Sequence, residues 1–430
     1  MPVKSDRPDS RIFDLVVAGA GPSGLMAALQ AAKAGLKVAV LERNSLPARK
    51  FAMLRRGLGS LSRSDISHEH LRGRHERFAS DALEAFDLAA LRRFFRSLEV
   101  ELIEEEGRWL PASRSGVDAA VALVVAAERA SAQIHCDTSI LRVNAKPGGF
   151  DVQTSRGDYH ARHLVLALGG PHFPQLGATE SGFKFARHLG LAVEPPRPAL
   201  VGLRTREIWP FRLPGLWMEC RASLMQEGRL LREAEGLVLF TAGALVCPAI
   251  AALSRDVDEE ACARGEVCLR LNFYPELGPE DVAQWLFRTL GQHTRMLAPD
   301  ALDRMLPRRL AVELCRVADI NPRWRVNRLS ESQRKRLEGL LTDTGLTVTQ
   351  SLGWRAAEGS RGGVNVREVN PRTFECRSIA GLHVVGEMLD VDAPSAEMNI
   401  HFALASGWCA GTALAAKAPR KKARKKTVKR

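Results

Sequence analysis

A glycine-rich stretch near the N-terminus constrains the fold more than any other feature of the chain. Residues 12–43 read IFDLVVAGAGPSGLMAALQAAKAGLKVAVLER, in which a short apolar run leads into Gly19, Gly21 and Gly24, spaced as G-x-G-x-x-G. An apolar helical repeat follows, and a second apolar run ends at Glu42. Strand, glycines, helix, strand and acid in this order predict a βαβ unit that binds a dinucleotide.

Each glycine of this unit has a physical reason. The first permits a tight turn, the second lets the backbone approach a pyrophosphate, and the third lets helix and strand pack closely. The helix N-terminus offers free N–H groups to the phosphates, and Glu42 is placed to bind a ribose diol. Arg43 could indicate a 2′-phosphate, but the preceding acid would repel it, so FAD or NAD is favoured over NADP. The predicted contacts here are Gly19, Ala20, Gly21, Pro22, Ser23, Gly24, Glu42 and Arg43.

Two further strands end in glycine far downstream. The run 164–168 stops at Gly169-Gly170, and the run 382–385 stops at Gly386-Glu387. In doubly wound sheets, ligands bind beyond the carboxyl ends of the strands, so the three glycine-bearing ends are expected to meet at one site.

Together with ARKFAMLRRGLGSLS (48–62) and GGVNVREVNPRTFECRSIAGLHVVGEMLD (362–390), these stretches resemble the HI0933-like/BaiN-like family of bacterial flavoproteins. The resemblance covers roughly residues 12–415. It implies an FAD-dependent oxidoreductase of α/β class. Its Rossmann-type FAD-binding domain would be built from both chain ends, with an inserted antiparallel β domain and a helical segment between them.

The sequence agrees with such an insertion. Short alternating runs begin after Pro195-Pro196, and helical periodicity begins at Pro279. The predicted domains are the first part of the FAD-binding domain (11–194), the β-rich insertion (195–278), the helical segment (279–345), the second part of the FAD-binding domain (346–416) and a disordered basic tail (417–430).

The resemblance also implies further FAD contacts in the later stretches. They are Arg49, Lys50, Gly169, Gly170, Gly386, Glu387, Asp390, Met398 and Asn399. Asp390 and Asp392 could instead compensate the dipole of the helix that follows. No catalytic residue is identified; His172 and His401 are candidates for proton transfer, and a structural role is open for each.

Two stretches depart from the family pattern. Ser395-Ala396-Glu397-Met398 stands where two glycines are expected beside the flavin ring, so activity is expected to differ most there. Arg55-Arg56 lies in a stretch where relatives are richer in glycine. That pair could hold phosphates or a substrate acid, or form a solvated turn.

Charge is concentrated at the C-terminus. The formal net charge is +13, and nine basic residues with no acid fall in the last fourteen positions. Such a run is expected to be disordered, as a solubilising tail or as a weak contact for polyanions. Eight scattered cysteines without a C-x-x-C pair, and no apolar stretch before residue 12, favour a cytoplasmic protein without a metal site.

The uncharged run Met398–Ala416 is long enough to raise the question of a membrane span. Asn399, His401 and Ser406 interrupt it, so a packed helix is predicted and no membrane span is expected.

The favoured function is hydride transfer between NAD(P)H and an unknown small-molecule substrate through N5 of FAD. NADH or NADPH would act as a transient electron donor. Two alternatives stay open: a flavin-dependent hydroxylase, and a flavin-binding nucleic-acid-associated protein with vestigial catalysis.

Overall fold

The computed structural model describes residues 11–53, 58–75 and 77–418. The chain divides into two compact units. The first unit runs to Arg197 and resumes at Gly359, and the second is Pro198–Glu358. The predicted fold class is therefore confirmed: an α/β domain is assembled from both chain ends around an inserted segment.

The strands of the described residues are numbered in chain order. They are β1 (Arg11–Ala18), β2 (Val38–Leu41), β3 (Ser62–Arg63), β4 (Leu102–Glu105), β5 (Arg108–Pro111), β6 (Gln133–His135), β7 (Ile140–Lys146), β8 (Gly149–Thr154), β9 (Gly157–Leu166), β10 (Val193–Ala199), β11 (Leu203–Thr205), β12 (Trp217–Gln226), β13 (Arg229–Phe240), β14 (Leu245–Val246), β15 (Val267–Asn272), β16 (Thr344–Ser351), β17 (Gly359–Val364) and β18 (Leu382–Val384).

The α-helices are numbered in the same way. They are α1 (Pro22–Lys33), α2 (Arg49–Met53), α3 (Ser80–Ala85), α4 (Leu88–Ser97), α5 (Gly116–Arg129), α6 (Ser181–His188), α7 (Pro248–Ser254), α8 (Glu259–Arg264), α9 (Pro279–Gln292), α10 (Ala298–Leu302), α11 (Arg308–Val317), α12 (Glu331–Thr342) and α13 (Ala396–Ala416).

The first unit is built on a seven-stranded sheet of order β6-β2-β1-β9-β8-β7, with β18 also pairing with β9. The strands β6, β2, β1, β9 and β18 run parallel, so their carboxyl ends lie along one edge. Strand β9 changes its neighbour along its length: its first half pairs with β8, and Leu164–Leu166 pairs with β18. This change brings the C-terminal strand into the N-terminal sheet.

Helices α1 and α13 pack backbone to backbone. A Cβ atom on Gly407 would lie 2.2 Å from the Ser23 carbonyl oxygen, and one on Gly411 would lie 2.7 Å from that of Ala27. Only glycine permits this approach, because any side chain would overlap the α1 backbone.

The same packing explains the uncharged run. Most of α13 is buried, including nearly every residue from Ala396 to Ala410. A helix that is apolar on all sides belongs in a core. Among the described residues, no helix combines the length and apolar character needed to cross a membrane.

The second unit contains a closed barrel of order β11-β14-β13-β12-β15-β16, followed in sequence by helices α9 to α12 before its last strand. All neighbouring strands of the barrel are antiparallel. Its core is apolar and is continuous with the inner faces of the helices. Strand β15 shows how the sequence produces this core: Val267, Leu269 and Leu271 are buried and alternate with more exposed residues, because successive side chains of a strand point to opposite faces.

Two of the predicted domain boundaries fall inside strands. The boundary at 194/195 divides β10 (Val193–Ala199). A boundary at 345/346 divides β16 between the helical segment and the FAD-binding domain, whereas β16 pairs with β11 and β15 inside the barrel. The predicted basic tail lies outside the described residues except for Lys417 and Ala418. The Lys417 ammonium pairs with Glu375 Oε2 at 2.8 Å.

Buried histidines in the sheet give a testable pH dependence. His383 on β18 is fully buried; its Nδ1 lies 3.0 Å from the Thr373 carbonyl oxygen, and its Nε2 has no hydrogen-bond partner. Burial lowers the pKa of His383 to about 4, against 6.5 in the unfolded chain. Between these two pH values the unfolded chain binds more protons, so acidification destabilises the folded protein.

We expect the free energy of unfolding to fall by about 2 kcal/mol between about pH 7 and pH 5 from this histidine alone. The measurement is urea unfolding at both pH values. A His383→Asn variant, which keeps a donor for the Thr373 carbonyl, should lose less stability over the same interval. An equal loss in both proteins would contradict the assignment.

Candidate active site

The predicted phosphate-binding turn lies between β1 and α1. Gly19 has a φ of +105°, and a Cβ there would lie 2.5 Å from the Ala167 carbonyl oxygen. A Cβ on Gly24 would lie 2.1 Å from the Gly19 carbonyl oxygen, whereas a Cβ on Gly21 would meet no atom within 4 Å. Gly19 and Gly24 are thus enclosed by protein, whereas Gly21 between them faces open space. No side chain caps the N-terminus of α1, so its N–H groups are available to a pyrophosphate.

Glu42 is fixed against this turn at the end of β2. Its Oε2 accepts from the Ala20 N–H at 3.2 Å, and its Oε1 accepts from the backbone N–H and the side-chain amide of Asn44 at 2.9 Å. Arg43 instead donates to Thr179 Oγ1 at 2.8 Å, and Arg49 donates to Asn44 Oδ1 at 3.2 Å. The acid and Asn44 therefore form the polar rim of the turn.

A half-buried carboxylate, Glu387, joins the second and third strand ends. Its Oε1 accepts from both the backbone N–H and the hydroxyl of Ser360 at 2.9 Å, and lies 3.0 Å from His172 Nδ1. Its Oε2 accepts from the Gly170 N–H at 3.1 Å and lies 3.7 Å from Lys50 Nζ, which itself donates to the Gly170 carbonyl at 2.9 Å. Lys50, Gly170, His172, Ser360 and Glu387 are named the Glu387 cluster below.

The charges of this cluster depend on each other. Burial by itself raises the pKa of Glu387, but the nearby charges of His172 and Lys50, with the hydrogen bond from the Gly170 N–H, hold that pKa well below its usual range. Burial lowers the pKa of Lys50, and Glu387 opposes this effect. Burial likewise lowers the pKa of His172, again opposed by Glu387. Glu387 is thus ionised, and its negative charge is stabilised by the N–H and O–H donors of Gly170 and Ser360 and by the nearby Lys50.

The third strand end leads into α13. Gly386 has a φ of +64°, and a Cβ there would lie 2.6 Å from Ser23 Oγ, so the third strand end touches the start of α1. Its N–H donates to Ser406 Oγ at 2.9 Å. Asp390 Oδ2 accepts from the Arg74 N–H at 3.3 Å, and Asn399 Oδ1 accepts from the Ala393 N–H at 2.8 Å. Both side chains hold loops next to the site.

The beginning of α13 has free backbone N–H groups. No side chain caps this helix, and the Ser395 hydroxyl at its N-cap is buried without a hydrogen-bond partner. Met398 is buried one turn later. Glu397, the acid of the stretch that departs from the family pattern, is fully buried and lies 3.7 Å from Arg108 Nε.

The two candidate histidines have different surroundings. His172 belongs to the Glu387 cluster, beside the second strand end. His401 is fully buried between Ser62 Oγ, at 2.7 Å from Nδ1, and the Phe86 carbonyl oxygen, at 2.8 Å from Nε2. Burial lowers the pKa of His401, as expected for a neutral ring with both nitrogens engaged. These contacts favour a structural role for His401.

The structure brings most of the predicted site residues to one edge of the sheet and adds two that the sequence did not single out. Asn44 completes the rim around Glu42, and Ser360 supplies two donors to Glu387. Asn44 could have been found from the sequence, because it lies two residues after Glu42. Ser360 precedes the Gly362-Gly363 pair but belongs to no motif that marks a binding residue. The Arg55-Arg56 pair lies outside the described residues.

The fold, the uncapped α1 and the open position at Gly21 fit the pyrophosphate of a dinucleotide such as FAD. With the family and the relatives that follow, they identify the chain as an FAD-dependent oxidoreductase. The chain belongs to the HI0933-like protein family, whose Rossmann domain matches residues 13–413.

Characterised relatives cover almost the whole chain. It is 26% identical to 3-dehydro-bile acid delta(4,6)-reductase of Clostridium scindens, over 93% of this chain and 98% of that protein. It is 27% identical to ribosomal RNA dihydrouridine synthase of Escherichia coli, over 94% of this chain and 99% of that protein. Among solved structures, 3-ketosteroid-delta4-(5alpha)-dehydrogenase from Rhodococcus jostii is similar with a TM-score of 0.44 and 16% identity, over 95% of this chain and 99% of that chain.

Proposed function

We propose that the protein is a flavin-dependent reductase that uses NADH or NADPH to saturate a carbon–carbon double bond conjugated with a carbonyl group. Two relatives that cover nearly the whole chain support this class of substrate. One is named as a reductase of a 3-dehydro-bile acid, and the other as a synthase of dihydrouridine. Both names describe the addition of two hydrogens beside a carbonyl group.

The structural observation that carries the flavin part of the proposal is the arrangement of two uncapped helix N-termini. Gly407 of α13 lies against Ser23 at the start of α1, and Gly411 lies against Ala27, so the two helices run in the same direction. Eleven residues separate Ala396 from Gly407, so α13 starts about 16 Å before this contact. The N-terminus of α1 therefore suits a pyrophosphate. The N-terminus of α13 suits a second group of negative charge further along an extended cofactor.

FAD, when bound, supplies hydride transfer at N5, and negative charge then develops over N1 and the C2 carbonyl. The N–H groups and the positive dipole end at the start of α13 are suited to stabilise this charge. Glu42 and Asn44 would hold the ribose end, and the Glu387 cluster would fix the strand ends beneath the cofactor. His172 is the candidate of this cluster for proton movement.

The test is anaerobic reduction of the purified yellow protein with NADH and with NADPH. We expect one of the two to bleach the flavin absorbance, and a conjugated enone to restore it faster than a saturated ketone of the same skeleton. Dithionite is the control for a reducible flavin. If dithionite bleaches the flavin and neither nicotinamide does, the proposed donor is wrong; if the enone and the saturated ketone act alike, the proposed substrate class is wrong.

A further inference from the structure

A region of the second unit combines exposed arginines with a half-buried tryptophan. Residues 293–328 contain eight arginines and four acids. The two segments HTRML (293–297) and RWRVNR (323–328) hold four of these arginines, one tryptophan and no acid. Positive charge is therefore concentrated in two short segments.

The backbone places these segments side by side. The Val326 N–H donates to the Met296 carbonyl at 3.0 Å, and the Asn327 N–H donates to the Thr294 carbonyl at 3.0 Å. Leu297 and Arg325 form an antiparallel bridge. These bonds place Arg295 beside the loop that carries Arg323, Trp324, Arg325 and Arg328. These five residues are named the Arg/Trp surface below.

The arginines of this surface form no ion pairs within the described residues, whereas nearby arginines do. Arg308, Arg316 and Arg336 pair with Asp300, Glu313 and Asp319. Arg295, Arg323, Arg325 and Arg328 are exposed, and no carboxylate within the described part of the chain forms an ion pair with them. Four unneutralised guanidinium groups on paired segments repel each other, and a polyanion would relieve that repulsion.

The loop that carries three of these arginines is held by its own backbone. The Arg323 N–H donates to Asn321 Oδ1 and the Trp324 N–H to the Asn321 carbonyl, at 2.9 and 2.8 Å. The Arg328 N–H donates to the Arg325 carbonyl at 2.9 Å. A loop fixed in this way loses little further conformational entropy when a ligand binds.

We propose that the Arg/Trp surface binds RNA. Guanidinium groups bind phosphate in a bidentate manner, and a partly exposed indole offers a face on which an unpaired base can stack. Single-stranded RNA presents both phosphates and unstacked bases, so it fits this combination better than a lipid headgroup, which has no base. The proposal goes beyond the reductase activity and does not depend on it.

The test uses the full-length protein with FAD and a fluorescein-labelled single-stranded RNA of about twenty nucleotides, followed by fluorescence anisotropy over a series of salt concentrations. An R323Q/R325Q/R328Q variant should bind about tenfold more weakly at physiological salt, and the slope of log K against log salt should fall by about 2. Trp324→Leu should weaken binding about fivefold or more without changing the slope.

The matched control is R93Q/R129Q/R142Q, which removes three exposed arginines from the first unit and keeps the C-terminal tail. It should bind RNA like the parent protein, and thermal unfolding checks that each variant is folded. Equal RNA affinity and salt slope in the two triple variants would overturn the proposal. Binding to phosphatidylserine vesicles that needs the Arg/Trp surface, without such binding to RNA, would overturn it in favour of a lipid surface.

Discussion

A protein with valine in place of Gly21 is expected to fold normally and to lose FAD. Gly21 has φ −80° and ψ −179°, an extended conformation that valine adopts readily. A Cβ at this position meets no protein atom within 4 Å, so the apoprotein has no reason to be destabilised. The same space is where a pyrophosphate would approach the N-terminus of α1, and the added methyl groups would occupy it.

Overpacking of this kind costs about 3 kcal/mol, which corresponds to an FAD affinity about 100-fold weaker. The measurement is titration of apoprotein with FAD by quenching of flavin fluorescence, beside the melting temperature of the apoprotein. Gly291→Val is the matched control, because a Cβ there also meets no atom within 4 Å but lies on α9 in the second unit. It should keep the affinity of the parent protein for FAD.

Gly24→Val distinguishes the effect of glycine on folding stability from its effect on FAD binding in this turn. A Cβ on Gly24 would lie 2.1 Å from the Gly19 carbonyl oxygen, so this variant should be destabilised even without FAD. Normal FAD affinity in the Gly21→Val protein would show that the pyrophosphate does not lie at this turn.

The N-terminal unit could be predicted from sequence because its determinants are local. The spacing of Gly19, Gly21 and Gly24 and the acid at Glu42 lie within one strand–helix–strand unit, and the structure shows β1, α1 and β2 in that order. The uncharged run 398–416 could be interpreted only in part. Its polar interruptions argued against a membrane span, but its register against α1 depends on Gly407 and Gly411 meeting residues more than 380 positions earlier.

Four members of the Glu387 cluster were expected near the cofactor, but Ser360 and the contacts among the five residues could not be predicted from sequence, because the members come from separate parts of the chain. Lys50, Gly170 and Ser360 converge on Glu387 only because β9 pairs with β1 and β18 in one sheet and loops meet at its edge. Strand β16 also depends on contacts between residues that are distant in sequence. Its alternating pattern marks a strand, but its membership of the barrel is decided by non-local pairing with β11 and β15.

Glu387→Gln is expected to cause a large loss of stability. Oε1 accepts two donors from Ser360 and Oε2 accepts the Gly170 N–H, while Lys50 lies 3.7 Å away. A carboxylate accepts on both oxygens, whereas a glutamine amide would turn an NH₂ group toward one of these donors. The substitution also leaves the half-buried Lys50 without its counter-charge, and loss of one partner of such a shielded pair costs up to about 3 kcal/mol.

A double-mutant cycle with Lys50→Met tests whether the two residues act as a pair. The cycle measures the free energy of unfolding by urea for the parent, Glu387→Gln, Lys50→Met and the double variant. We expect a coupling energy of about 1.5 kcal/mol, because the double variant no longer holds an uncompensated ammonium group. Lys50 and Glu387 have side chains only 26% and 19% exposed, so solvent screens their attraction weakly.

The Lys417–Glu375 pair is the matched control for this cycle. Its N···O distance of 2.8 Å is shorter than that of the Lys50–Glu387 pair, but Lys417 is 45% exposed. Solvent screening and side-chain entropy should reduce its coupling energy to below about 1 kcal/mol. A coupling energy at Lys50–Glu387 no larger than that of the control would mean that the hydrogen bonds from Ser360 and Gly170, rather than the charge pair, hold the strand ends together.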